Sequence, residues 1–242
     1  MPHGARDDAN VEIDVDQYRL DDMAELAARL GSIVTIQRSG KVVFLDDFES
    51  GLGGWTTSFR AAGGQVVISN NATYQGGCSS RLDSGIGAIP TTTMTKWIPA
   101  FEWSSAGIAC MWLVDNDLLS LTWVIKRYSG TRLTTWKVLY TRAAGTLSYF
   151  NAAGAPVVFA TPGILAAGYK SFHAFKFVCD MTGVNYGRFY LDGVHYDLSA
   201  YLAADVASAD LPYMQFSIEL RGDTVNNTGA TLDNVVLTFD EF

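Results

Sequence analysis

Hydrolysis of a glycosidic bond needs two carboxylates opposed across a cleft, and the acids of this 242-residue chain do not fall into such a pair. Glu102 and Glu219 stand isolated, and Asp115-Asn116-Asp117 has the short polar residues of a turn. Nucleophilic catalysis fares no better. There is no Gly-x-Ser-x-Gly elbow, and the histidines, His3, His173 and His195, are scattered. His173 and His195 fall where strands begin or turns end. Cys78, Cys110 and Cys179 form an odd, widely spaced set without a Cys-x-x-Cys pair, which argues against zinc and thioredoxin-type chemistry. They read as small buried hydrophobes. The glycines punctuate turns and open no helix, so no phosphate cradle is expected. Together these readings predict a protein that is not an enzyme.

Aromatic residues are the other candidates. Sugar rings stack on exposed aromatic faces while their hydroxyls pair with polar side chains. Trp112, Trp123, Tyr128, Trp136 and Tyr140 lie on adjacent predicted strands. Trp136 and Tyr140 share parity, whereas Trp123 and Tyr128 point to opposite sides. The set Trp112, Trp123, Trp136 and Tyr140 therefore either forms a carbohydrate-stacking platform or fills the core, and buried rings are the commoner case.

The net charge of −8 shows no basic character of the kind a nucleic-acid partner demands, and it disfavours anionic membranes. The first ten residues contain no apolar signal region and no apolar run is long enough to span a membrane. Synthesis and assembly in a host cytoplasm are the expectation. Hydrophobic residues make up 48% and aromatics 12%, enough for a sizeable sheet-built core.

The elements that must position these residues are mostly strands. Residues 1–19 are a polar, acidic arm. Residues 21–30 read as a short helix, capped by Asp21 or Asp22 and ended by Gly31, with Met23, Leu26, Ala27 and Leu30 on one face. Runs at 33–38 and 41–46 flank Ser39-Gly40 as a hairpin. From 65 to 239 short strands alternate with turns, at 65–69, 79–83, 93–98, 108–114, 119–128, 133–141, 173–180, 187–191, 194–198, 212–221 and 234–239. Asp192-Gly193 predicts a type I′ hairpin. Met214, Phe216, Ile218 and Leu220 alternate with Tyr213, Gln215, Ser217 and Glu219, as in a strand with one face on a core. Residues 202–209 are alanine-rich and read as a helical turn. The fold class is all-β: an antiparallel two-sheet jelly-roll sandwich over 44–242, preceded by a short N-terminal arm, helix and hairpin over 1–43.

Particular segments carry a likeness. The opening Asp46-Asp47-Phe48-Glu49, the glycines before Trp55, the segment Tyr74-Gln75-Gly76-Gly77-Cys78-Ser79-Ser80 and the closing Leu232-Asp233-Asn234-Val235 resemble carbohydrate-binding modules. Residues 173–198 look like the late strands of concanavalin A-like and laminin G-like domains. The Glu-x-Asp-x-x-Glu strand of concanavalin A-like glucanases is absent. The resemblance implies a structural calcium where the opening and closing strands meet, with Asp47, Glu49 and Asp233 at the matching positions. Residues 20–55 resemble phage virion proteins that carry a lectin-like sandwich on a capsid-binding arm. That resemblance implies docking on a major capsid protein or neighbouring virion subunits through Met23, Leu26, Leu30, Ile33 and Ile36, display of the sandwich on the virion as a capsid decoration protein, and assembly as a homo-oligomer. A glycan-binding module or adhesion domain is the alternative.

Overall fold

The computed structural model describes residues 40–99, 104–168 and 171–241. The predicted helix at 21–30 and the docking residues Met23, Leu26, Leu30, Ile33 and Ile36 lie outside them. Sixteen strands are described: β1 (Lys41–Asp46), β2 (Thr56–Phe59), β3 (Gln65–Ser69), β4 (Ser79–Asp83), β5 (Thr91–Pro99), β6 (Ser105–Val114), β7 (Ser120–Tyr128), β8 (Arg132–Thr141), β9 (Thr146–Phe150), β10 (Pro156–Ala160), β11 (His173–Asp180), β12 (Tyr186–Leu191), β13 (Val194–Asp197), β14 (Ala204–Ala207), β15 (Tyr213–Arg221) and β16 (Gly229–Phe239). They form two antiparallel eight-stranded sheets. Sheet A runs β13-β12-β11-β6-β16-β4-β3, with β1 also on β16, and sheet B runs β10-β9-β8-β7-β15-β5-β2, with β14 on β8. Among the described residues no helix is long and apolar enough to cross a membrane.

The opening and closing segments pair as expected: β1 lies antiparallel to β16, with Leu45 opposite Val236. The strand expected at 41–46 is β1, and its pairing with β16 makes residues 41–43 part of the sandwich as well. Within β16 the register shifts between Asp233 and Val236, and Asn234 takes a left-handed φ of 49°. This bulge resets the alternation. Leu232 faces the core before it, Asp233 faces out, and Val235, Leu237 and Phe239 face the core after it. At the Asp192-Gly193 turn both residues have positive φ, 49° and 84°, as a type I′ hairpin requires. Residues 202–209 are not a helical turn. Ala204–Ala207 is a strand, because Asp205 on it accepts hydrogen bonds from Arg132 and Thr134 of β8.

The space between the sheets is filled with rings. Trp112 and Trp123 meet edge to face at 5.0 Å, and Trp123 packs on Phe175 at 4.3 Å. Polar links join the two sheets through this core. Tyr186, on β12 of sheet A, sends its hydroxyl to the backbone of β8 and β9 in sheet B. These two strands pair from Val138 and Tyr149 onward and part at Lys137 and Phe150. The hydroxyl sits in that fork. It accepts from the N–H groups of Lys137 (3.0 Å) and Phe150 (3.2 Å) and donates to the Phe150 carbonyl (2.8 Å). Burial pushes its ionisation far above the ordinary tyrosine range, so the donated proton stays in place. Trp136 adds a second link, its Nε1 donating to the carbonyl of Asn185 at 2.8 Å.

The outer face of sheet A carries a buried ion cluster. Lys176 Nζ lies 2.7 Å from Glu241 Oε1, and Arg188 lies 3.3 Å from Oε2. Thr238 donates its hydroxyl to the same carboxylate. Gly107 leaves room for it, since a Cβ there would stand 2.7 Å from Thr238 Oγ1 and 3.0 Å from Glu241 Oε1. His173 is held on both ring nitrogens, with Nδ1 2.6 Å from Asp192 and Nε2 3.0 Å from the Ala166 carbonyl. Two acceptors call for an imidazolium. Burial opposes that charge, but the bonds to Asp192 and Ala166 outweigh it and raise the His173 pKa.

Two predictions follow from these contacts. Tyr186→Phe leaves two buried N–H groups and a carbonyl without a partner, so urea unfolding should show a loss of about 1–3 kcal/mol. A loss under a few tenths would mean that water replaces the hydroxyl. For His173 the folded pKa is raised, so its contribution is complete below the unfolded value and is lost as pH rises through the folded one. The melting temperature of the wild type should fall between about pH 6 and pH 8, and His173→Gln should flatten that slope.

Candidate functional site

The alternation of sheet B sorts its residues into a core side and an outer side. On β15, Met214, Phe216, Ile218 and Leu220 are fully buried in the core. Tyr213, Gln215, Ser217, Glu219 and Arg221 face outward. Cross-strand register extends this face sideways. Glu219 stands opposite Thr93 of β5 and Thr122 of β7, and Arg221 stands opposite Thr91 and Ser120. Ser58 of β2 lies beyond Thr93, and Leu139 of β8 lies beyond Thr122. These residues, with Arg60, Ile89 and Phe150, line a groove of about 400 Å³ that runs across the strands. Hydroxyl-bearing Thr and Ser side chains are its commonest lining, the donor–acceptor groups that suit a polyhydroxylated ligand.

The same face continues toward the other end of β15. Next to the groove, Thr95 and Ser217 hydroxyls pair at 3.0 Å, and Gln215 donates to Ser217 at 2.7 Å. One row further, Trp97 stands opposite Gln215 and is 46% exposed. Its ring meets Tyr213 edge on at 4.9 Å, and Tyr213 lies 4.0 Å from Tyr128. From Arg221 to Gln215 is six residues, about 20 Å at the antiparallel rise. The face thus has a half-exposed aromatic ring at one end and a hydroxyl-rich groove at the other, with Thr95 and Ser217 buried between them and Gln215 buried beside the ring.

The sequence-predicted stacking platform is not on this face. Trp112, Trp123, Trp136 and Tyr140 are all fully buried. Their strand parity matches Ile108, Leu121 and Val138, so they belong to the core cluster and present no ring to solvent. Trp97 was missed, although its parity with Thr91, Thr93 and Thr95 was legible: a tryptophan on the polar side of a strand. Tyr128 does take the side opposite to Trp123, and there it backs Tyr213.

Glu219 is the single acid lining the groove, so a hydrolytic pair is not assembled there. A larger depression of about 670 Å³ lies beside β12 and β13 and contains Asp180, Asp197, His195 and Arg188. Its acids are occupied as turn caps. Asp180 accepts from the N–H groups of Thr182 and Gly183, and Asp197 accepts from that of Ser199.

Asp47, Glu49 and Asp233 gather around residues 74–78, though not as the expected calcium shell. Glu49 Oε1 accepts from the N–H groups of Gly77 (2.5 Å) and Cys78 (2.8 Å). Those bonds, Gly77 first, hold its pKa below the usual carboxylate range. Asp233 Oδ2 accepts from Tyr74 (2.7 Å) and Gln75 (3.1 Å). Asp47 caps its own turn through the N–H of Glu49. One oxygen is left over: Asp233 Oδ1 is buried without a partner, and burial, with Asp47 nearby, raises the Asp233 pKa. A single oxygen fits a cation, but the set does not. Among the described residues no three acidic, histidine or cysteine side chains meet as a metal site. Glu49 and Asp233 instead clamp a loop to the seam of β1 and β16.

The sheet order defines the class: an all-β sandwich of two antiparallel sheets. No family model matches the sequence, and no curated protein matches it significantly. Solved structures do. The cellulose-induced protein Cip1 superposes with a TM-score of 0.54 at 15% identity, covering 81% of this chain and 96% of that one. An endo-β-1,4-glucuronan lyase from the fungus Trichoderma reesei gives 0.54 at 11%, covering 82% and 95%. A Bacillus subtilis protein of unknown function with a galectin-like fold gives 0.53 at 12%, covering 83% and 97%. Identities this low establish the shared fold.

The loop clamp is testable through Cys78, which is half-buried while Cys110 and Cys179 are buried. Burial first, then the neighbouring Glu49 charge, raises the Cys78 pKa. Glu49→Gln should speed iodoacetamide labelling of Cys78 by about tenfold or more, by freeing the loop and removing the charge. Chelation with EDTA should leave the wild-type rate unchanged. A rise with EDTA would restore the calcium shell.

Proposed function

We propose that this chain is a non-catalytic carbohydrate-binding sandwich that holds a glycan along the outer face of sheet B. The observation that carries this reading is Trp97: a half-exposed ring on a strand face otherwise made of threonines. It is braced by Tyr213 and Tyr128 and aligned with a polar groove. A sugar ring stacked on Trp97 would occupy one end of this face, with Glu219 and the Thr and Ser side chains of the groove at the other end; Thr95, Gln215 and Ser217 between them are buried. The groove contains one carboxylate, which supports binding without hydrolysis. The fold shared with Cip1 and with a glucuronan lyase is consistent with a glycan-handling scaffold. Attachment to a phage particle through residues 1–43 is a separate proposal that rests on the sequence resemblance. In it the same sandwich would be the displayed part, and no feature of the described residues adds to it.

Trp97→Ala should weaken binding to the preferred polysaccharide by about 1–3 kcal/mol, read by affinity electrophoresis across a panel of soluble glycans. Trp123→Ala should instead destabilise the fold by about 3–5 kcal/mol. Glycan binding that is indifferent to Trp97 would remove the reading.

A further inference from the structure

We infer that the glycan taken by this face is acidic, a chain that carries carboxylates in the manner of a polyuronate; the inference rests on the carbohydrate reading above. Charge is segregated in this molecule. The chain has 25 acidic and 17 basic residues, yet the outer face of sheet B collects Arg60, Arg221, Lys126 and Lys137 against Glu219. Arg60 and Arg221 line the groove. Arg60 is placed by its backbone N–H, which donates to the Thr91 carbonyl at 3.0 Å, and Thr91 stands opposite Arg221. The backbones of Arg60, just past the end of β2, and Arg221 thus flank β5, about 10 Å apart at ordinary strand spacing. Lys137 lies 5.5 Å over the Phe150 ring, at the groove's other wall. Lys126 stands opposite Gln215, next to Trp97.

What distinguishes the groove arginines is that they are uncommitted. Elsewhere the sandwich uses its arginines internally. Arg81 pairs with Asp83 and Asp115, and Arg132 pairs with Asp205. Arg127 donates to the Met181 carbonyl, and Arg142 donates to the carbonyls of Asn116 and Leu165. Arg188 meets Glu241. Among the described residues neither Arg60 nor Arg221 has a side-chain hydrogen bond or ion pair, and both are exposed. An unpaired guanidinium is a planar fork that matches a carboxylate with two parallel bonds. A neutral glycan would leave both forks facing water. Glu219 opposes an acidic ligand, but it stands among threonines, where it can accept from the hydroxyls between successive carboxylates.

The experiment compares three polyuronates of different linkage (polygalacturonate, alginate and β-1,4-glucuronan) with their carboxyl-reduced counterparts, by titration calorimetry on the full chain. Arg60→Gln with Arg221→Gln, and Trp97→Ala, serve as variants whose folding is checked by melting. At least one polyuronate should bind about tenfold or more tighter than its reduced form. The double arginine variant should lose most of that difference and keep its affinity for the reduced form. Equal binding of acidic and reduced forms, sensitive to Trp97→Ala, would overturn the inference and leave the carbohydrate reading standing. Equal binding of single-stranded DNA would overturn it as well, by showing a generic polyanion surface. If no acidic or neutral glycan binds, both readings fall.

Discussion

A buried hydroxyl pins one layer against the other. Tyr186 reaches through a core of rings and ends in the fork where β8 and β9 part. Apolar packing alone is non-directional: it would tolerate a small slide of one sheet over the other. A buried hydroxyl with three backbone partners does not tolerate it, because any slide leaves polar groups unpaired in a dry interior. The two residues gripped there are Lys137 and Phe150, which turn their side chains outward to the groove. The floor of the candidate site is thus fixed from inside the sandwich.

The second constraint is alternation. Each strand of sheet B puts its apolar set inward and leaves the opposite set to define a surface. The inward set is aromatic and uniform in purpose, whereas the outward set is graded from Trp97 and Tyr213 to Glu219 and Arg221. Such a gradient along one face gives a ligand a direction. A sandwich that merely needed solubility would scatter its charges, yet among the described residues Arg60 and Arg221 stand unpaired while the other arginines are tied down. The acidic residues of the β1–β16 seam do a third kind of work: Glu49 and Asp233 each spend one oxygen on two backbone N–H groups.

Much of the fold was legible in the sequence. The pairing of residues 41–46 with 235–239 could be read because both segments carry acid-plus-apolar motifs at the ends of a β-rich region. The Asp192-Gly193 hairpin was legible because few residue pairs accept two positive φ angles. Edge strands were harder. Thr56–Phe59, Pro156–Ala160 and Ala204–Ala207 are short and largely exposed, so no hydrophobic period marks them. The site was legible only in part. Strand parity placed Trp112, Trp123 and Trp136 with apolar neighbours, and the density of rings on those strands suggested a platform where the fold needed a core. Trp97 carried the opposite signal and was outnumbered. The roles of Asp47, Glu49 and Asp233 depend on a loop that is distant from Asp233 in sequence and adjacent in space. No spacing rule reaches that far.

The position of β16 has a consequence for the life of the molecule before it is native. This strand is the last of the described strands, yet it lies inside sheet A and pairs with β1, β4 and β6. Until it emerges from the ribosome, those three strands wait with open edges, and the earliest segment cannot find its neighbour. Contacts so distant in sequence make for slow closure. Until β16 is made, those open edges can pair with other nascent chains.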